Sequence, residues 1–276
     1  MTSRFLQFRH SLVHYRVSGH GSRLTVCLHG FGEYAKTFDP LAAALPDQTL
    51  VAIDMPWHGE TTWREGLDLG VGDWIALIRA IPEVGQRSFG LMGYSMGGRI
   101  CLSILERIPE TISYLVLIAP DGLKTNRWYW LATQTSAGNR LFRYTMENPR
   151  WFLQLLATGR RLRLVNESIL KFVTIYVDNE TMRQRVFRVW TTMRRFQPNL
   201  PAVKALILQH RIPVYLLFGK YDRIIPPANG AAFVSGLGTL AQSRVLEVGH
   251  QILHPHNLPA ISEALDFCTA NMPTAS

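Results

Sequence analysis

The chain has 276 residues and a mass of 31.3 kDa, with 47% apolar and 18% charged residues. This is enough apolar material for one large domain or two small ones, and it excludes a disordered or fibrous chain. The formal net charge of +9 is unevenly spread: residues 123–211 hold 16 Lys and Arg against 4 Asp and Glu, so the remainder is net negative.

Residues 4–10 and 12–18 alternate in polarity and predict a β-hairpin. Residues 24–28 form an apolar run too short for a helix, and 34–45 have helical spacing that ends near Pro46. A strand is predicted over 49–53, then a polar loop with Pro56 and Gly59, then a helix over 71–81 that stops before Pro82. Next come a strand over 88–92, a helix over 96–107 and a strand over 113–118. From about 121 to 208 no strand pattern stands out. That stretch has helical spacing, the basic excess and four of the seven tryptophans: Trp128, Trp130, Trp151 and Trp190. Strands over 212–218 and 243–248 then alternate with helices over 227–235 and 258–269. Short buried strands alternating with helices imply an α/β fold: a mostly parallel eight-stranded sheet covered by helices on both faces. The expected organisation is a core over 1–120 and 209–276, interrupted by a helical insertion over 121–208.

No apolar run approaches the ~20 residues that cross a bilayer. The opening MTSRFLQFRHSLVHYRV lacks the unbroken apolar stretch of a secretion signal. Cys27, Cys101 and Cys268 are far apart in apolar segments and are expected to be reduced and buried. The expected location is cytoplasmic.

In an open α/β sheet, ligands bind beyond the carboxyl ends of the strands. After the strand at 88–92 comes Gly93-Tyr94-Ser95-Met96-Gly97, a G-x-S-x-G between strand and helix. A serine at so sharp a turn needs neighbours without side chains, and its hydroxyl then stands over the positive end of the following helix. A Gly-rich turn with an incidental serine is the plainer reading, but the flanking strand and helix favour a nucleophile. A serine hydroxyl needs a base, and His250 follows the strand at 243–248 across Gly249. His254 and His256 lie further along, beside Asn257, a candidate cap of the last helix, and are expected to be exposed. The imidazole needs an orienting carboxylate. Asp222, just past the strand at 212–218, is the first candidate, although a turn or cap aspartate is the plainer reading of it alone. Asp121, after the strand at 113–118, is the second. The order Ser95, Asp222, His250 is the one this sheet architecture uses.

An oxyanion needs two donors. The Met96 amide is one. The Phe31 amide, in His29-Gly30-Phe31-Gly32 after the strand at 24–28, is the other, and His29 is expected to hold that loop. A metal site is not expected: Pro255 argues against a helix pairing His250 with His254, and neither HExxH nor CxxC occurs. No cofactor is expected.

These residues together resemble the α/β-hydrolase superfamily, in five places in the right order. LHGFG resembles its oxyanion loop, DMPWHGET its D-x-P-G-H-G-x-S loop, GYSMGGR its nucleophile elbow, GKYDRIIPP the segment with the acid and VGH the segment with the histidine. Two departures occur. Trp57 stands where the family usually has Gly, and HQILHPHNLP lacks the Glu and shifts the Pro that usually follow the histidine. The resemblance implies that the insertion is a helical cap. It also implies that the serine forms an acyl-enzyme rather than the alkyl-enzyme ester of members with Asp at the elbow. Substrate contacts are expected from Trp57, which could narrow the entrance, and from Tyr94, Trp128 and Trp190.

The expected activity is hydrolysis of a carboxylic ester or lactone of small to medium size. A second reading keeps the triad for carbon–carbon bond hydrolysis, or for an elimination like that of the menaquinone-pathway synthase whose elbow GYSMGGR resembles. A third is a ligand sensor on the same scaffold. Residues 181–196 place Met182, Val186, Val189, Trp190 and Met193 at helical spacing, with Arg183, Arg185, Arg188, Arg194 and Arg195 mostly elsewhere on the wheel. The first reading is a helix packing on the sheet domain with a solvated basic face. Steering of an anionic small-molecule substrate comes next, then contact with an acidic membrane surface. No motif supports nucleic-acid binding. Arg99, in the elbow helix, is read as structural.

Overall fold

The computed structural model describes residues 1–45, 47–124, 127–161, 177 and 179–273, without the side chains of Arg127 and Trp128. Strands β1 (Thr2–Phe8) and β2 (Ser11–Ser18) form the expected hairpin, with Thr2 opposite Val17 and Phe8 opposite Ser11. Arg9 makes the tight turn at φ 52°. The other strands are β3 (Arg23–Leu28), β4 (Gln48–Ile53), β5 (Phe89–Tyr94), β6 (Ile112–Ile118), β7 (Val214–Gly219) and β8 (Ala241–Leu246). They form an eight-stranded sheet in the order β1-β2-β4-β3-β5-β6-β7-β8. β2 runs antiparallel to β1 and β4, and the pairs from β4 to β8 are parallel. Every residue of β4, β5 and β7 is buried, which is why those strands do not alternate in polarity.

The chain leaves β3 to form β4 on one side and returns to form β5 on the other. The order reverses there, and the crevice beyond the carboxyl ends of β3 and β5 is where such sheets bind ligands. Helices α1 (Asp39–Ala44), α2 (Val71–Ala80) and α3 (Met96–Arg107) follow within this part of the chain. The single helix expected over 34–45 is instead a 3-10 turn, Ala35–Phe38, followed by α1. Pro40 lacks an amide hydrogen and is tolerated only in a first turn, so the helix restarts around it.

Two compact units divide the chain. The second takes in residues 66–68 and 125–194 and is narrower than the insertion expected over 121–208. It contains α4 (Arg127–Gln134), α5 (Ser136–Glu147), α6 (Arg150–Arg161) and α7 (Glu180–Thr192). Thr135 Oγ1 accepts the Gly138 amide at 2.9 Å to cap α5, and Asn179 Oδ1 accepts the Met182 amide at 3.2 Å to cap α7. α7 packs on α5: Trp190 stacks on Phe142 at 5.5 Å between centroids, and Phe187 meets Phe142 at 5.6 Å. Val186, Val189 and Met193 of the expected stripe are buried. Arg183 points inward, donating to the Met146 and Val177 carbonyls at 2.9 and 2.8 Å, so it is not part of a solvated basic face.

The first unit resumes with α8 (Leu200–His210), α9 (Ala228–Val234) and α10 (Leu258–Ala270). α8 was expected to belong to the insertion. It packs instead on α3, with Val203 and Ile207 buried, because its apolar face has the sheet's own helices to cover it. Asn257 stands at the cap position of α10, but its side chain donates to the Ile252 carbonyl at 3.0 Å and caps nothing. Among the described residues, no helix is long and apolar enough to cross a membrane.

Candidate active site

β5 ends at Tyr94 and α3 begins at Met96, so Ser95 alone makes the turn, with φ 51° and ψ −116°. A non-glycine residue in that region is strained by about 1–3 kcal/mol and persists only where its surroundings impose it. Here they do. The Ser95 amide donates to the Ile118 carbonyl, and the Ser95 carbonyl accepts from the Gly98 and Asp121 amides, all at 2.9 Å. A Cβ on Gly93 would come within 2.7 Å of the Gly97 carbonyl oxygen and the Gly98 backbone, and one on Gly97 would run into the Leu28 carbonyl. The elbow therefore closes only with glycine at both positions. α3 then directs its first amides toward the turn.

Asp222 follows β7 and is buried. Its Oδ1 accepts the Ile224 and Ile225 amides at 2.8 and 2.9 Å. Its Oδ2 lies 2.7 Å from His250 Nδ1, and His250 Nε2 lies 3.0 Å from Ser95 Oγ. The partners set the tautomer: Nδ1–H donates to the carboxylate, leaving Nε2 to accept from the serine hydroxyl. Burial pushes the Asp222 carboxyl upward, but the hydrogen bonds from His250 and the two backbone amides and the electrostatic influence of His250 outweigh it, and the group is held below the usual carboxylate value. The two loops are tied together by the Lys220 amide on the Leu246 carbonyl at 2.8 Å and the Tyr221 amide on the Val248 carbonyl at 3.0 Å.

Asp121, the second candidate acid, is engaged elsewhere. Its carboxylate lies 3.5 Å from Arg99 and accepts the Gly122 amide at 2.7 Å. This pairing also gives Arg99 the structural place expected of it. His254 and His256 are exposed, as expected for loop residues.

The His29–Gly32 loop passes beside Ser95: a Cβ on Gly30 would stand 3.0 Å from that of Ser95. His29 is buried and holds the loop, with Nδ1 donating to the Gly30 carbonyl at 2.8 Å and Nε2 accepting the Met55 amide at 3.0 Å. Sequence reasoning missed how the loop after β4 completes this support. His58 Nε2 accepts the Gly32 amide at 3.2 Å, and its ring meets the edge of Phe31 at 5.8 Å. Buried Asp54 accepts the Ala35 amide at 2.5 Å, the Glu60 amide at 2.8 Å and His14 Nδ1 at 2.7 Å. The D-x-P-x-H-G spacing was the available signal, but nothing local shows that these side chains reach the other loop.

The four expected substrate contacts fare differently. Tyr94 is 1% exposed, so it offers a ligand no surface; its hydroxyl donates to the His250 carbonyl at 3.1 Å and its ring packs on that imidazole at 5.5 Å. It supports the histidine loop. Trp57 is half-buried and has φ 69°, a left-handed conformation that accounts for Gly being usual at that place in the motif. Trp190 lies in the helical unit, stacked on Phe142, with Tyr129 at 5.3 Å. The Trp128 side chain lies outside the described residues. Among the described residues, no cluster of three or more His, Cys, Asp or Glu could hold a metal ion.

A mostly parallel eight-stranded sheet with serine, aspartate and histidine converging beyond its strand ends defines the α/β-hydrolase class. The profile of the alpha/beta hydrolase family matches residues 25–264, and the chain belongs to that family. A Bacillus subtilis (strain 168) protein provisionally named 2-succinyl-6-hydroxy-2,4-cyclohexadiene-1-carboxylate synthase is 37% identical over 122 residues, 41% of this chain and 43% of that one. The pimeloyl-(acyl-carrier protein) methyl ester esterase of Nitrosomonas europaea is 25% identical over 235 residues, 79% of this chain and 84% of that one. A structure from Acinetobacter baumannii AYE, provisionally described as a lipase, superposes with a TM-score of 0.65 at 19% identity, covering 98% of this chain and 91% of that one. At that identity the likeness establishes the fold. The chain spans 43%, 32% and 61% of the lengths of three curated relatives that it matches.

Proposed function

We propose that the protein is a serine hydrolase that cleaves a carboxylic ester or lactone of small to medium size through an acyl-enzyme. The observation that carries this reading is the continuous relay Ser95–His250–Asp222, at 3.0 and 2.7 Å. Ser95 Oγ attacks the substrate carbonyl as its proton passes to His250 Nε2. The resulting imidazolium is stabilised by the Asp222 carboxylate, and the tetrahedral oxyanion by the Phe31 and Met96 amides. The alkoxide leaves with the proton from His250. Water then attacks the acyl-enzyme, giving its proton to His250, and Ser95 regains a proton as the acid departs. Asp121 is paired with Arg99, which supports Asp222 as the orienting acid. The esterase relative supports the reaction class. Three buried free thiols support a reducing compartment, and we assign the protein to the cytoplasm.

The test is hydrolysis of short p-nitrophenyl esters. The wild type should release p-nitrophenol with a burst, and Ser95→Ala should lower kcat by about 10⁴ or more. Equal turnover by the variant would refute the nucleophile assignment. A second reading is favoured by the likeness to the B. subtilis relative: the same triad acting on a carboxylate substrate by carbon–carbon hydrolysis or elimination. Faster turnover of a carboxylated diketone or a menaquinone precursor than of any ester would select it.

A further inference from the structure

One helix of the helical unit holds its apolar side chains only partly buried among the described residues. α6, RWFLQLLATGRR, contains no buried residue although Trp151, Phe152, Leu153, Leu155 and Leu156 lie within it. Phe152, Leu153 and Leu156 are partly buried in a cluster with Phe142, Met146, Val177 and Phe187. The opposite side carries the more exposed apolar residues. Trp151 is 37% and Leu155 60% exposed, and their spacing of four residues sets them side by side along the helix. Arg150, Arg160 and Arg161 are exposed on the same helix, which carries no acidic residue. The preceding helix has similar exposed residues: Leu141 and Tyr144 of α5 are each 55% exposed, next to exposed Arg140 and Arg143. Glu147 is the only acidic residue from 127 to 161, and it lies 3.8 Å from Arg143.

Exposed Trp, Tyr and Leu interleaved with arginine, almost without carboxylates, is the composition of a helix that lies in the plane of a membrane interface. We propose that α6, with the outward face of α5, docks on an anionic lipid surface. At about 1.5 Å per residue, α6 is roughly 18 Å long, with Trp151 and Leu155 in its first half. Its indole and leucine side chains enter the boundary between headgroups and acyl chains, and the arginines hydrogen-bond lipid phosphates. A second copy meeting this face with its own fits poorly, because like-charged arginines would meet with Glu147 alone to offset them. This surface differs from the basic helix that the sequence pointed to, in which Val186 and Val189 are buried and Arg183 is turned inward.

The test is co-sedimentation of the full chain with phosphatidylcholine vesicles made with and without phosphatidylglycerol. Binding is expected only when the anionic lipid is present, with loss at high salt. Trp151→Ser/Leu155→Ser and, separately, Arg150→Glu/Arg161→Glu should each weaken binding roughly tenfold or more. Circular dichroism should match the wild type; thermal midpoints should fall only slightly for Trp151→Ser/Leu155→Ser, since Trp151 packs partly on Phe152, and stay near wild type for the arginine variant, whose side chains are exposed. Absence of binding to anionic vesicles, or unchanged binding by both folded variants, overturns the proposal. So does a dimer in sedimentation that the Trp151→Ser/Leu155→Ser variant dissociates, which would make this face a contact between copies. The assay reads binding and not turnover, so its outcome is independent of the proposed hydrolase activity.

Discussion

Replacing Asp222 with asparagine tests the relay through a consequence peculiar to this site. Oδ1 of Asp222 faces two amide donors, Ile224 and Ile225, at 2.8 and 2.9 Å. An asparagine keeps its carbonyl oxygen there, because turning its NH₂ toward two N–H groups would lose both hydrogen bonds. Its NH₂ is then directed at His250 Nδ1, which must become the acceptor. The ring carries its proton on Nε2, facing Ser95, and cannot take the serine proton. The shape of the site is preserved while the tautomer is wrong. Such a change lowers kcat by about 10⁴, or roughly 5.4 kcal/mol of transition-state stabilisation. The assay is steady-state p-nitrophenyl ester hydrolysis, together with the rate at which a fluorophosphonate labels Ser95; both should fall while KM changes little. A loss smaller than about tenfold would show that Asp222 does not set the tautomer. Stability gives a second readout. The folded carboxyl is held below its ordinary value, so its contribution is complete above about pH 3.9 and is lost as pH falls through the lower folded value. The stability margin of wild type over Asp222→Asn should therefore shrink in acid.

Two further outcomes follow from the same geometry. Ser95→Gly and Ser95→Ala both remove the hydroxyl, but only the glycine relieves the φ of 51°. Both should be inactive, with the glycine variant more stable to urea by about 1 kcal/mol; equal stability would mean the turn is unstrained. Burial pushes the Cys27, Cys101 and Cys268 thiols well above the ordinary thiol value. The native protein should therefore resist an aromatic disulfide reagent at pH 8 and react at all three thiols once unfolded, and fast native labelling would contradict their burial.

Much of the core was legible because its signals are local. The strands at 24–28, 49–53 and 113–118 are apolar on both faces, and the helix at 96–107 is bounded by its own pattern. The sharp turn at Ser95 was legible for a related reason: the constraints on it come from Gly93 and Gly97, two residues away on either side. What was missed depends on segments distant in the chain. Tyr94 looks like a pocket aromatic from its place beside Ser95, yet the loop carrying His250, more than 150 residues later, covers its ring and takes its hydroxyl. The helix over 200–210 looked like part of a helical insertion, since its spacing does not reveal that α3 is its partner.

The choice between the two candidate acids marks the same boundary. Asp121 and Asp222 each follow a strand, so the chain by itself ranks Asp222 first but does not show which carboxylate reaches His250. The decision rests on strand neighbours. β7 pairs with β8 up to Gly219 and Leu246, so the loops after them leave side by side and are joined by the Lys220 and Tyr221 amides. Asp121 follows β6, is tied to the Ser95 carbonyl, and faces Arg99. Residue types and their spacing supply the reacting groups. Which of those groups touch is settled by sheet register, because a hydrogen bond forms only within about 3 Å and positional uncertainty along a chain far exceeds that.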